Sequence, residues 1–181
     1  MPQFVVLLRG VNVGKGNRVP MASLRELLEA EGFTEVRTLL NSGNAVFRSA
    51  TRSAASHAKV IGARLQESLG VSVLIVVKSS AEFLAAVAEN PFAPPEKDHS
   101  RFLVAFTQSA AATQGVSVLL PMVQPHERFH IGSHAAYLHC AGGILESKAG
   151  SALLGKLGRE VTTRNWATVL KLKALLGNGV A

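Results

Sequence analysis

Two stretches in the N-terminal half are apolar where a half-exposed strand would alternate: Phe4-Val5-Val6-Leu7-Leu8 without interruption, and Val71 to Val77 broken only by Ser72. Such runs read as strands covered on both faces. The signals between them fix the rest of this half. Pro20 suits the first turn of a helix whose stripe is Met21, Leu24, Leu27 and Leu28, and Gly32 stops it. Val36 to Leu40 and Ala45 to Phe47 flank Asn41-Ser42-Gly43-Asn44, which reads as a hairpin turn. Ser53 to Leu69 fits a second helix with Ile61 and Leu65 inward, ended by Gly70. The order is βαββαβ, the split-βαβ or ferredoxin-like unit. A lone sheet of this kind leaves one face wet, so strands apolar on both faces demand a cover, either the second half or a partner chain.

The second half repeats the plan. Ser79 and Glu82 have capping-box spacing and open a helix that ends before Asn90-Pro91. Pro91 to Ser100 holds three prolines and is the expected connector between the halves. A strand over Phe102 to Phe106, a helix around Ala110 to Leu120 and a strand over Glu127 to Ile131 follow, then a Gly132-Ser133 turn and a strand over Tyr137 to Cys140. Beyond the Gly142-Gly143 loop the pattern gives helices near Ser151 to Leu157 and Asn165 to Leu176, with a final strand missing or replaced by helix. The expected fold is α/β (α+β), with two tandem ferredoxin-like halves, antiparallel sheets and helices at the end. Residues 1–80 form the first half and 81–181 the second, or the two share one compact unit. No repeat is visible in the sequence itself, so the duplication rests on element order.

With 48% hydrophobic and 17% charged residues, the chain can bury a core and is not a disordered one. No apolar run approaches the roughly 20 residues that span a bilayer. Met1 to Arg9 lacks a basic leader region and a small-residue cleavage site, so it reads as a strand rather than a signal peptide. A single cysteine, Cys140, forbids an internal disulfide and favours a reducing compartment. The expectation is a cytoplasmic protein without membrane contact, monomer or homodimer.

The net charge of +7 favours anionic partners, and its placement is uneven. Arg9, Lys15 and Arg18 surround a glycine loop with no acid between them, and Lys148 to Lys173 carries six basic residues against Glu160 alone. In the loop, Arg9-Gly10-Val11-Asn12-Val13-Gly14-Lys15-Gly16-Asn17-Arg18, glycines let backbone N–H groups converge on an anion while Lys15 and Arg18 add charge. It is neither a P-loop, whose glycine spacing is one longer and whose lysine precedes Ser or Thr, nor the dinucleotide fingerprint. A tight loop with solvated charges and an anion site both remain open. Thr162-Thr163-Arg164-Asn165-Trp166 is expected to open the last helix with Thr163 as N-cap. Arg164 then sits in the first turn, where it opposes the helix dipole unless an anion or Glu160 offsets it.

His126, Arg128 and His130 share a strand face with Tyr137 and His139. Strand positions four apart lie about 13 Å from each other, too far for one metal ion, so a wet or covered sheet face accounts for these histidines and no metal is expected. Cys140 points away from His139, against a Cys–His dyad. Ser42 has no base nearby, and turn chemistry accounts for Asn41 to Asn44.

Leu8-Arg9-Gly10-Val11-Asn12-Val13-Gly14, Pro20-Met21 with Leu24-Arg25 and Leu27-Leu28, and Asn41-Ser42-Gly43-Asn44-Ala45-Val46-Phe47 resemble the bacterial domain-of-unknown-function 1697 family. Asn90-Pro91-Phe92, Tyr137-Leu138-His139, Ser147-Lys148 and Thr163-Arg164-Asn165-Trp166 with Thr168-Val169 and Leu170-Lys171-Leu172 are similar to its later motifs. The resemblance implies a compact α/β protein with ferredoxin-like halves and transfers no activity. Family members often have a tyrosine before the Ser-Gly-Asn turn, where this chain has Leu39-Leu40.

Three functions fit these observations. The first is binding of an anionic ligand, a nucleotide or nucleic-acid phosphate, by Arg9, Gly10, Asn12, Gly14, Lys15 and Arg18 together with Lys148, Arg164 and Asn165. The second is a metal-independent, cofactor-free enzyme on a small acidic or phosphorylated substrate, polarised by Asn12, Ser42 or Asn44. The third is a protein-interaction module using the apolar sheet face.

Overall fold

A computed structural model describes residues 1–178. The described residues divide into two units, Met1–Phe83 together with residues 175–178, and Leu84–Ala174.

The first unit runs β1 (Gln3–Leu8), α1 (Met21–Ala30), β2 (Thr34–Leu39), β3 (Asn44–Arg48), α2 (Ala54–Leu69), β4 (Ile75–Ser79) and the opening of α3 (Ser80–Glu89). Its strands form one antiparallel sheet in the order β2-β3-β1-β4, the ferredoxin-like arrangement. β1 sits centrally because it is apolar on both sides. Phe4, Val6 and Leu8 face a core with Leu24 and Leu28 of α1 and Ile61 and Leu65 of α2. Val5, Leu7, Val46 and Val76 alternate with them on the other face and are also fully buried. The apolar face that an interaction module would offer is therefore not exposed. β4 begins four residues later than the Val71 start expected from the apolar run, because Val71 to Leu74 adopt no regular strand.

Caps behave as the chemistry of their residues dictates. Ser53 accepts from the N–H of Ser56 at the start of α2, and Gly70 ends that helix at φ 64°. Ser79 and Glu82 form the reciprocal capping box: Ser79 N donates to Glu82 Oε2 at 2.8 Å and Glu82 N to Ser79 Oγ at 3.2 Å. His57 lies on the inner face of α2, edge-on to Phe4, Phe33 and Phe47 at 4.7, 5.0 and 5.5 Å, with Nε2 3.1 Å from the Thr51 carbonyl.

In the second unit β5 (Phe102–Phe106), α4 (Ala110–Gly115), β6 (Arg128–Ile131), β7 (Ala136–His139), α5 (Lys148–Leu154), β8 (Thr162–Asn165) and α6 (Trp166–Gly177) follow in order. The sheet order, β6-β7-β5-β8, is that of the first unit. Three expectations change here. The last strand exists: Thr162 to Asn165 pair with Phe106 to Leu103, and their polar side chains hid a strand that two threonines favour. The expected helix to Leu120 is α-helical only to Gly115 and continues as 3₁₀ turns over Val116–Met122, where Pro121 removes an N–H. The β6–β7 connection spans Gly132 to Ala135 rather than two residues, with Gly132 N donating to the Ala135 carbonyl at 2.9 Å. This places Arg128 opposite His139 and His130 opposite Tyr137; the register moves by two, so the shared face survives.

The proline-bearing segment expected to connect the halves lies within the second unit, and the division falls inside α3. Asn90 Oδ1 accepts from Phe92 N at 3.0 Å, Asp98 N donates to the Pro95 carbonyl at 2.8 Å, and His99 Nε2 lies 3.2 Å from the Pro94 carbonyl. These bonds hold the segment in a fixed course.

Candidate functional site

The glycine loop leaves β1 at Leu8 and enters α1 at Met21. Its course needs left-handed backbone at Gly10, Asn12, Gly14 and Asn17, with φ of 66°, 57°, 62° and 50°. Glycine adopts this freely and asparagine more readily than other residues. Asn12 is the pivot. Its Nδ2 donates to the Val19 carbonyl at 2.8 Å and to the Asn41 carbonyl at 2.7 Å, while its Oδ1 accepts from Val19 N at 2.9 Å. Asn12 N also donates to the Asn17 carbonyl at 3.0 Å. One amide thus closes the loop on itself and ties it to the β2–β3 turn.

That turn meets the loop from the other side. Leu8 N donates to the Gly43 carbonyl at 2.9 Å. A Cβ on Gly43 would stand 2.7 Å from Leu8 Cβ and 2.8 Å from Val11 Cγ2, so only glycine fits, and its φ of 83° requires glycine as well. Asn44, fully buried, donates through Nδ2 to the Leu39 carbonyl at 3.0 Å and to Ser42 Oγ at 2.9 Å. Asn12, Ser42 and Asn44, expected to touch a ligand, are brought together here as the scaffold of the loop.

The loop tip is different in kind. Gly14, Lys15, Gly16, Asn17 and Arg18 are exposed, and a Cβ on Gly10, Gly14 or Gly16 would meet open space. Arg18 folds back to the Gly14 carbonyl at 2.8 Å, and Arg9 anchors its N–H on the Leu74 carbonyl at 3.0 Å. The first acid in the sequence is Glu26, on α1, so no acid lies within the loop segment itself.

Arg164, Asn165 and Lys148 belong to the second unit. Arg164 lies in β8 and not in the first turn of a helix, so the dipole argument for an anion there does not hold. It is buried, opposite Val104, with Nη1 donating to Thr162 Oγ1 at 2.8 Å and to the Thr163 carbonyl at 2.7 Å. Burial pulls its guanidinium down to about 10. The N-cap of α6 is Asn165 rather than Thr163: its Oδ1 accepts from Thr168 N at 2.9 Å. Lys148 is exposed at the start of α5, a helix that packs on the Ala105–Leu138 face of the sheet. Arg164 shares the opposite face with Val104 and Tyr137, so Lys148 and Arg164 do not form one site.

The histidine face holds a feature the spacing argument missed. A cleft of about 350 Å³ lies between Phe92, Pro94 and Pro95 on one side and His126, Arg128 and His139 on the other. Rejecting a metal by distance said nothing about other ligands. The signal that could have found the cleft is the rigid Asn90-Pro91-Phe92 and Pro94-Pro95 segment, read above as a connector. Among the described residues no group of three or more His, Cys, Asp or Glu could hold a metal ion, and no helix is long and apolar enough to cross a membrane.

Comparison with known proteins agrees with this architecture. The model of the family described as Protein of unknown function (DUF1697) matches residues 1–137. A solved structure described as that of conserved bacterial protein SP0830 from Streptococcus pneumoniae is 24% identical, with a TM-score of 0.77 over 97% of this chain and 98% of that one. At that identity the likeness shows the fold. No curated protein matches the chain.

Proposed function

Since this chain belongs to the DUF1697 family of proteins of unknown function, we propose from its geometry that it binds an anionic ligand, a nucleotide or nucleic-acid phosphate, through the Arg9–Arg18 loop. One observation carries the reading. Asn12 holds the loop in a fixed shape from within, while Lys15, Arg18 and the open glycines stand in solvent with no acid in the segment. A backbone held open next to cationic side chains offers N–H donors and charge to a phosphate without a cost in reorganisation. Arg9, Gly10, Gly14, Lys15 and Arg18 are the contacts, and Asn12, Ser42 and Asn44 are the frame. An enzyme reading needs those three polar groups turned toward substrate, and their hydrogen bonds are made inside the frame.

The test is fluorescence anisotropy with a labelled single-stranded oligonucleotide, a duplex and ATP as competitor, across a salt series. Lys15→Ala should weaken binding and lower the salt slope by about one. Binding that is indifferent to salt and to Lys15→Ala would sink the proposal.

A further inference from the structure

We propose that the cleft of the second unit is a separate site for a small phosphomonoester. Its floor is the sheet face on which Arg128 stands directly opposite His139 across the β6–β7 ladder. The Arg128 guanidinium lies over the Phe92 ring, 5.9 Å from its centroid. This contact orients the planar fork while leaving its N–H edge for hydrogen bonding. His126 lines the same cleft, next to Gly142, where a Cβ would come within 3.6 Å of His126 Nε2. No carboxylate lines the cleft.

His139 carries the second observation. Its Nε2 is buried and makes no hydrogen bond, and Asp98 Oδ2 stands 3.4 Å away, at ion-pair range. The ring packs against Phe102 at 5.9 Å. Asp98 thus sits beside Nε2, while the imidazole lines the cleft opposite Arg128. The wall opposite is rigid: Pro94 and Pro95 fix φ, and the Asn90, Pro94 and Pro95 hydrogen bonds described above hold the turn.

The donor set selects the ligand class. A carboxylate is satisfied by one guanidinium fork, whereas a phosphomonoester presents three terminal oxygens in different directions. Arg128, His126 and His139 approach from three positions on two strands and the segment before them. The volume lies at the small end of ligand sites, which run from about 300 Å³ upward, and suits a short phosphorylated metabolite rather than a polymer. This site is distinct in residues from the glycine loop and does not depend on it.

The experiment is a titration of the full chain with phenyl phosphate, followed by long-range proton–nitrogen spectra of the histidine side chains, with acetate at matched ionic strength as control. His126 and His139 should shift together and saturate with a dissociation constant at or below about 1 mM, and acetate should not reproduce the shift. Arg128→Gln should weaken binding roughly 10- to 100-fold, and Arg128→Lys should restore only part of it. Melting curves of the variants establish that the fold is kept. Non-saturating shifts, an equal response to acetate, shifts confined to residues of the glycine loop, or unchanged binding by Arg128→Gln would each overturn the proposal.

Discussion

The hydroxyl of Tyr137, in the middle of β7, donates to the carboxylate of Glu89, the last residue of α3, at 2.9 Å. The same carboxylate accepts from the N–H of Ser133 and, at 3.1 Å, from that of His134 in the β6–β7 connection. A glutamate at a helix end thus serves as the anion in a backbone turn. Gly132 leaves room for it, because a Cβ there would displace the Glu89 carboxyl group. Glu89→Ala should cost about 2–3 kcal/mol in denaturant unfolding, the value of charged hydrogen bonds left unmade.

The pair also sets a pH dependence. Burial pushes the Glu89 carboxyl up, but the N–H groups of His134 and Ser133 and the Tyr137 hydroxyl outweigh it and hold the group below its ordinary range. A depressed carboxyl contributes stability above its unfolded value, near 4.3, and loses it as pH falls through the folded value. Burial, then Glu89, push the Tyr137 phenol well above its ordinary range. Its contribution is therefore complete below about 10 and is lost as pH rises beyond that. Glu89→Gln should flatten the acid limb of a stability–pH curve and Tyr137→Phe the alkaline one.

Frame and tip of the glycine loop should separate under mutation. Gly43→Ala combines a left-handed backbone with a Cβ 2.7 Å from Leu8 Cβ, and should destabilise by about 2–4 kcal/mol. Asn12→Ala, which strands the Val19 N–H and the Asn41 carbonyl, should cost about 2 kcal/mol. Lys15→Ala should stay within about 0.5 kcal/mol of the parent, as exposed substitutions do. Equal losses in all three melting curves would contradict the division.

His57 should behave as a core residue. Truncation to alanine removes an imidazole packed edge-on against Phe4, Phe33 and Phe47 and the link to Thr51, for a loss of about 2–4 kcal/mol. Chemical denaturation of the variant measures it.

Cys140 is fully buried, and burial pushes its thiol up to about 11 despite the opposing bond from Ser147. At pH 8 the thiol should be inert to iodoacetamide in the native chain and alkylated rapidly in guanidinium, as mass spectrometry would record.

The sheet of the first unit and three of the four strands of the second were legible because apolar runs, caps and glycine stops act locally. Phe4 to Leu8 announced a strand covered on both faces, and Ser79 with Glu82 announced a helix start. What escaped detection depended on partners distant in sequence. Thr162 to Asn165 is a strand only because β5 offers it a ladder, so Arg164 looked like the opening of a helix. Asn12 looked like a ligand group because nothing nearby in sequence shows that Asn41 lies within reach. The Phe92–Pro95 wall looked like a linker because proline content does not reveal which hydrogen bonds hold a segment. The histidine face itself was read correctly in direction, since a register change of two residues preserves parity.

The first unit takes in residues 175–178, and its border with the second lies within the continuous helix Ser80–Glu89. On a ribosome, the N-terminal sheet can be assembled early, yet its unit stays short of a segment until the whole second unit has been translated. Cutting the gene where the two units meet would sever a helix and orphan that segment.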